Sequence, residues 1–113
     1  RFGHDAGDAV LRYFAAEAKG LLRARDVIAR TGGEEFTILL PGLGPAAAQS
    51  VCDRLRAHIS LTPFNVGTER ITITLSGGLA AIDGRGLEDA QRRADQALYR
   101  AKSGGRDRIE IAA

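Results

Sequence analysis

The chain has 113 residues, of which 44% are hydrophobic and 27% charged, and its formal net charge is +2. A chain of this length can remove roughly two thirds of its unfolded surface from water, so a single packed domain over residues 1–113 is expected and intrinsic disorder is excluded. So small a charge gives no argument for nucleic acid as a partner, although arginines cluster at 92–93 and 100–108. No apolar run approaches the ~20 residues of a membrane span, and no secretory signal opens the chain, so membrane attachment is expected only through domains upstream. One cysteine cannot form an internal disulfide. Cys52 falls among apolar positions of a helical pattern and reads as a buried, reduced thiol, which suits a cytoplasmic domain. The sequence holds no Met, from which an internal or processed piece of a longer polypeptide is expected.

Taken in order, residues 6–22 carry Val10, Leu11, Phe14, Ala15, Ala18, Leu21 and Leu22 at three- and four-residue spacing, an amphipathic helix with Asp5 as its expected N-cap. Residues 26–31 and 36–40 are short β-prone runs joined by Gly32, Gly33, Glu34 and Glu35, which predicts a hairpin with Glu34 at its tip. A second helix runs from Pro45 to Ile59, with Pro in its first turn. Residues 62–68 read as a loop and 70–82 as a strand. Ser76, Gly77 and Gly78 interrupt the pleat of that strand, implying a bulge or a close backbone neighbour. A third helix over 87–102 ends at Gly104 and Gly105, and residues 108–111 form a last strand. The order is helix, strand, strand, helix, strand, helix, strand. One strand in front would make it the βαββαβ pattern of a ferredoxin-like α+β sandwich.

The sharpest chemical feature is the run Thr31-Gly32-Gly33-Glu34-Glu35-Phe36. Glycines at a hairpin tip let a phosphate approach the backbone, and adjacent carboxylates suit Mg²⁺, which prefers oxygen ligands. The same run also reads as a plain Gly-rich turn with solvated glutamates. Lys102 lies in a last helical turn and Asp8 in a first, where the helix dipole favours those charges in any protein. His4 and His58 have no partners at metal-ligand spacing, and Asp95 and Tyr99 read as core or cap support.

Gly32-Gly33-Glu34-Glu35-Phe36 matches the GG(D/E)EF signature, and four further segments agree in order and spacing. Gly3-His4-Asp5-Ala6-Gly7-Asp8 is similar to GHxxGD, and Thr74-Leu75-Ser76-Gly77-Gly78 to TxSxG. The stretch Ala94-Asp95-Gln96-Ala97-Leu98-Tyr99-Arg100-Ala101-Lys102 is similar to ADxALYxAK, and Gly105-Arg106-Asp107-Arg108 to GR(N/D)R. The chain thus resembles the GGDEF domains of diguanylate cyclases along its whole length. The resemblance implies a nucleotidyl-cyclase palm fold, mostly antiparallel with helices packed on the sheet. It further implies condensation of two GTP, one on each domain of a homodimer, to cyclic di-GMP with release of two pyrophosphates.

On this sequence the resemblance implies that Glu34 is a ligand of Mg²⁺ or Mn²⁺ and that Glu35 assists the metal or the attacking hydroxyl. Gly32 and Gly33 make room for phosphates, Asp8 accepts from the guanine edge, and Lys102 and Arg106 pair with the terminal phosphates. Arg23-Ala24-Arg25-Asp26 is similar to the RxxD motif of the inhibitory product site, five residues before the signature. A planar Arg fork beside a carboxylate suits a guanine dinucleotide. The family also has a metal-binding Asp on a strand before the first helix, and an Asn contacting guanine just before GHxxGD. Neither is in this chain, so the first family strand is absent, two strand edges are expected to lack partners, and the chain alone is expected to be inactive. Gly77 stands where an aliphatic residue is usual in the family. Three readings follow: a cyclase in the parent protein, a non-catalytic cyclic di-GMP receptor using Arg23 and Asp26, or a dimerisation module.

Overall fold

The computed structural model describes residues 4–30 and 35–112. Along the chain these form α1 (His4–Leu21), β1 (Val27–Arg30), β2 (Phe36–Leu39), α2 (Pro45–Leu61), β3 (Phe64–Val66), β4 (Glu69–Ile71), β5 (Gly77–Leu79), α3 (Leu87–Ser103) and β6 (Ile109–Ile111). They fall into two compact units, residues 1–42 with 64–71 and residues 43–63 with 72–113.

In the first unit β1 and β2 form the expected antiparallel hairpin, Val27 opposite Leu39 and Arg30 opposite Phe36. The connection is residues 31–35, and all but Glu35 lie outside the described residues, as do Gly32, Gly33 and Glu34 of the signature. Helix α1 buries Ala18 completely. The Phe14 ring packs tilted on Phe36 at 4.9 Å between centroids, and Tyr13 stacks on Phe64 at 4.0 Å. In the tilted pair the positive ring edge meets the negative ring face, which adds to area burial. Asp5 lies inside α1, whose start at His4 precedes the N-cap expected there.

Residues 62–68 are not simply a loop. β3 lies within them and pairs antiparallel with β4, Phe64 opposite Ile71, around a turn at Gly67 (φ 61°). The alternation Phe64, Asn65, Val66 is too short to stand out without its partner. Conversely, the single strand expected over 70–82 is split, and residues 72–76 join no ladder despite the β-branched run Thr72-Ile73-Thr74. β propensity expresses fit to a paired, half-covered surface, and without a hydrogen-bonded neighbour it does not make a strand.

The second unit is built on a parallel β5–α3–β6 crossover, Gly77 opposite Ile109 and Leu79 opposite Ile111. The ladder continues at both ends through Gly77 N–H to the Arg108 carbonyl (3.0 Å) and Ala112 N–H to the Leu79 carbonyl (2.8 Å). α3 brings Ala90, Ala97 and Ala101 onto this pair, and α2 contributes Ala48, Leu55 and Ile59 to the buried set. The small side chains of α3 allow close approach, and at Gly78 the approach is backbone to backbone. A Cβ there would collide with the Ala94 carbonyl and lie 2.5 Å from the Leu98 nitrogen. The close neighbour that the glycine pair implied is therefore α3. The neighbouring Gly77 leaves its Cβ space to Ile109 Cδ1, only 2.8 Å from where that atom would be.

The loop into α3 is held by charge. Arg93, 8% exposed, donates from Nη2 to the Ala81 carbonyl and from Nε to Asp89, each at 2.7 Å. Arg85 grips Asp83 through Nε and Nη2, and Arg92 also donates to Asp89. Arg92 and Arg93, which stood out in sequence as a basic pair, are thus spent on carboxylates of their own helix. Among the described residues the six strands form three two-stranded sheets, so each is paired along one edge only, and no helix is long and apolar enough to cross a membrane.

Gly78→Ala is expected to lower unfolding stability by about 3 kcal/mol or more, since neither backbone can yield as a side chain would. Gly20→Ala, where a Cβ meets nothing within 4 Å, should leave stability unchanged or raise it by up to ~1 kcal/mol. Urea unfolding midpoints at constant m-value measure both.

Candidate functional site

Asp8 lies in the second turn of α1, half-buried, and lines an open pocket of about 240 Å³ with Leu11, Arg12, Ala15 and Phe36. The helical period puts Asp8, Leu11, Arg12 and Ala15 on one face, and the β2 residue Phe36 closes the pocket. A carboxylate at an apolar wall accepts hydrogen bonds with less competition from water than one in the open, and the apolar wall suits a flat ring. Leu11, Arg12 and Phe36 were not singled out as site residues in the sequence. The three- and four-residue steps from Asp8 along one helix face were the signal for the first two.

Next to the pocket residue Phe36, Glu35 is exposed, and its carboxylate is of the oxygen type that a hard cation prefers. Among the described residues no group of three or more His, Cys, Asp and Glu could hold a metal; Glu34 lies outside them.

Arg23 and Asp26 are brought together by the turn between α1 and β1. The Asp26 side chain is 1% exposed and accepts from the Arg23 backbone N–H at 2.7 Å, from Nη2 at 2.6 Å and from Nε at 3.0 Å. Nη2 also donates to the Pro41 carbonyl at 2.6 Å, so the pair ties the α1–β1 turn to the end of β2. Hydrogen bonding to Arg23 holds the Asp26 carboxyl below the usual carboxylate range against the opposing effect of burial, and the Arg23 guanidinium is raised in turn. Guanidinium carries five N–H donors. Those on Nε and Nη2 face Asp26 and Pro41, and Nη1 has no partner among the described residues, leaving a fixed plane 37% exposed. The pair therefore locks the turn and also presents an oriented, charged fork.

In the second unit Lys102 is half-buried in the last turn of α3, and Arg106 follows on the exposed turn into β6. Neither side chain has a carboxylate partner among the described residues, unlike Arg85, Arg92 and Arg93. That turn has Gly105, Arg106 and Asp107 all at positive φ (122°, 63° and 48°). Tyr99 is 72% exposed and Asp95 is exposed, so neither is the core or cap support expected of it. Their positions on the outer face of α3 follow from the inward alanines at 90, 97 and 101. Cys52 is half-buried, and burial, aided by Asp53, raises its thiol, which suits an inert packing residue.

The model of the family described as diguanylate cyclase, GGDEF domain, matches residues 1–108. The chain belongs to the GGDEF family. Diguanylate cyclase DgcP of Pseudomonas aeruginosa is 50% identical over 112 residues, which cover 98% of this chain and 17% of DgcP. This GGDEF domain thus spans about a sixth of that relative's length. Among solved structures, the GGDEF domain of DgcB from Caulobacter crescentus in complex with c-di-GMP superposes with a TM-score of 0.89 at 31% identity, covering 97% of this chain and 67% of that one. The active GGEEF domain of a diguanylate cyclase from Vibrio cholerae, with the same variant of the signature as this chain, gives a TM-score of 0.83 at 35% identity, with 99% of this chain and 72% of that one covered. The α+β cyclase fold expected from sequence is therefore the fold of this chain.

The depressed Asp26 has a consequence in acid. Its interaction stabilises the fold in full above the unfolded carboxyl value of about 3.8, and is lost as pH falls through the lower folded value. Asp83 and Asp89, held down chiefly by hydrogen bonds from Arg85 and Arg93, act in the same direction. Thermal midpoints should be flat from pH ~7 to ~5 and fall below pH ~4. Asp26→Asn should lower the midpoint at neutral pH and remove part of the acid slope.

Proposed function

We propose that this GGDEF domain is the catalytic and regulatory module of a diguanylate cyclase, condensing two GTP to cyclic di-GMP between two copies and binding the product at Arg23 and Asp26. The observation that carries the reading is Asp8 at the lip of the apolar pocket under α1, an acceptor for a guanine edge above a surface suited to a ring. The diguanylate cyclase relatives and the c-di-GMP held by the DgcB domain support it.

In this reading Asp8 takes the guanine N–H groups, and Lys102 and Arg106 neutralise the terminal phosphates. Their lack of carboxylate partners among the described residues leaves that charge to a ligand. Gly32 and Gly33 admit the phosphates at the hairpin connection. Glu34 and Glu35 have the oxygen chemistry to hold Mg²⁺ or Mn²⁺. A divalent cation bound there supplies neutralisation of the charge that develops on the α-phosphate. The 3′-oxygen of one GTP attacks the α-phosphorus of the other, pyrophosphate leaves, and the hydroxyl proton passes to solvent or to Glu35. Repetition in the opposite sense closes the ring, so two facing domains are needed.

Product binding has its own support in the oriented Arg23 fork, whose Nη1 edge and exposed face remain for a guanine or a phosphate. A cyclic di-GMP receptor without turnover is the second reading that this observation favours.

Incubation with GTP and Mg²⁺ separates the two. The intact protein should form cyclic di-GMP, this chain alone should form none because its proposed metal site rests on the signature glutamates, and Glu34→Gln in the intact protein should abolish formation by removing the ligand charge. Undiminished turnover in that variant would remove Glu34 from the site. In calorimetric titration with cyclic di-GMP, Arg23→Ala should weaken binding about ten- to a hundredfold, and Arg23→Lys should restore little of it, since an ammonium lacks the planar fork.

A further inference from the structure

The turn between α3 and β6 is more elaborate than stopping a helix requires. Gly104 and Gly105 already end α3: Gly104 N–H donates to the Arg100 carbonyl at 2.8 Å, and Arg106 N–H reaches back to the Ala101 carbonyl at 2.9 Å. That backward bond, with Gly105 at φ 122°, is the Schellman arrangement. Two more residues then continue at positive φ, Arg106 at 63° and Asp107 at 48°. Asp tolerates this region through its short polar side chain, whereas Arg adopts it at a cost that surrounding contacts must override.

Those contacts converge on Asp107. Its N–H donates to Ser76 Oγ at 3.1 Å, just before β5, and its Oδ1 accepts from Arg56 Nη1 of α2 at 3.1 Å. On its other side Arg108 donates from Nε to the Arg106 carbonyl at 3.2 Å, and the Arg108 carbonyl accepts from Gly77 N–H at 3.0 Å. Both backbone polar groups of Arg106 are thereby engaged, while its guanidinium has no partner among the described residues. The Arg56–Asp107 pair leaves its side chains 26% and 41% exposed, and an ion pair so open to water contributes little to stability. What it does set is orientation, tying a strained turn to α2 of the same unit.

We infer that Asp107, anchored by Ser76 and Arg56, is a positioning residue that holds Arg106 in its left-handed backbone and so aims the free guanidinium at the phosphates of the nucleotide. The inference rests on the reading of Arg106 as a phosphate ligand given above. Asp107 touches no substrate and acts through Arg106 alone.

The test is a double-mutant cycle on the intact protein, reading KM for GTP, kcat and the thermal midpoint. Arg106→Ala should raise KM at least tenfold. Asp107→Ala should raise it several-fold, and the double variant should match Arg106→Ala, because an unaimed arginine and an absent one are equivalent. Asp107→Asn, which keeps the acceptor oxygen and the tolerance of positive φ, should restore KM to within about twofold of the parent. Should Asp107→Ala fail to fold, Ser76→Ala and Arg56→Met each remove one anchor, and each should raise KM about threefold in the parent and not at all in the Arg106→Ala background. Effects that multiply, an unchanged KM in the anchor variants, or an Asn variant no better than Ala would overturn the proposal. An unchanged KM in Arg106→Ala would instead overturn the phosphate reading, and the proposal with it.

Discussion

Gly78 sets the distance between β5 and α3, and the second unit is organised around that distance. The strand backbone lies directly against the Ala94 carbonyl and the Leu98 nitrogen, and Ala90, Ala97 and Ala101 of α3 are buried where leucines would hold the helix away. A helix that close completes a parallel crossover with a short return, so β6 follows α3 after a turn of a few residues. The turn that carries Arg106 is tied to the same strand through Ser76 and Gly77. A single missing Cβ thus sets how closely strand and helix pack in this unit.

The first unit is organised by a polar contact rather than by close packing. The Arg23–Asp26 pair connects the end of α1, the start of β1 and the carbonyl of Pro41, so the hairpin is held at its base by charge-assisted hydrogen bonds. Its carboxylate is almost wholly shielded from water while its arginine is not. The buried partner fixes the geometry of the turn, while the arginine keeps part of its surface in water. Truncating the arginine would leave a buried carboxylate without its counter-charge, so such a variant loses stability as well as the fork itself.

The arginines divide by environment. Arg85, Arg92 and Arg93 lie within reach of Asp83 and Asp89 and fasten the entry to α3, while the Asp107 carboxylate beside Arg106 is turned to Arg56. Withholding that carboxylate keeps positive charge available at the end of α3, where the helix dipole already favours it structurally. Composition could not separate the two groups, because both read as basic clusters beside acidic residues in the chain.

The sequence by itself determined the family, the three helices and the hairpin, since helical periodicity, alternation and glycine placement are local signals that tertiary packing here reinforces. It also marked Gly77 and Gly78 as positions of close approach without naming the neighbour. Tertiary structure alone decided which β-prone residues became strands. Phe64–Val66 gained a partner across Gly67 and formed a ladder, whereas Thr72–Thr74 gained none and did not. It also decided that Tyr99 faces outward, because the alanines take the inner face of α3. Ser76, Arg56 and Asp107 met only through the fold, being far apart in the chain and ordinary in type. Pairing and hydrogen bonding between distant segments depend on which groups the chain brings within about 3 Å of each other, and no local pattern of residues encodes that distance.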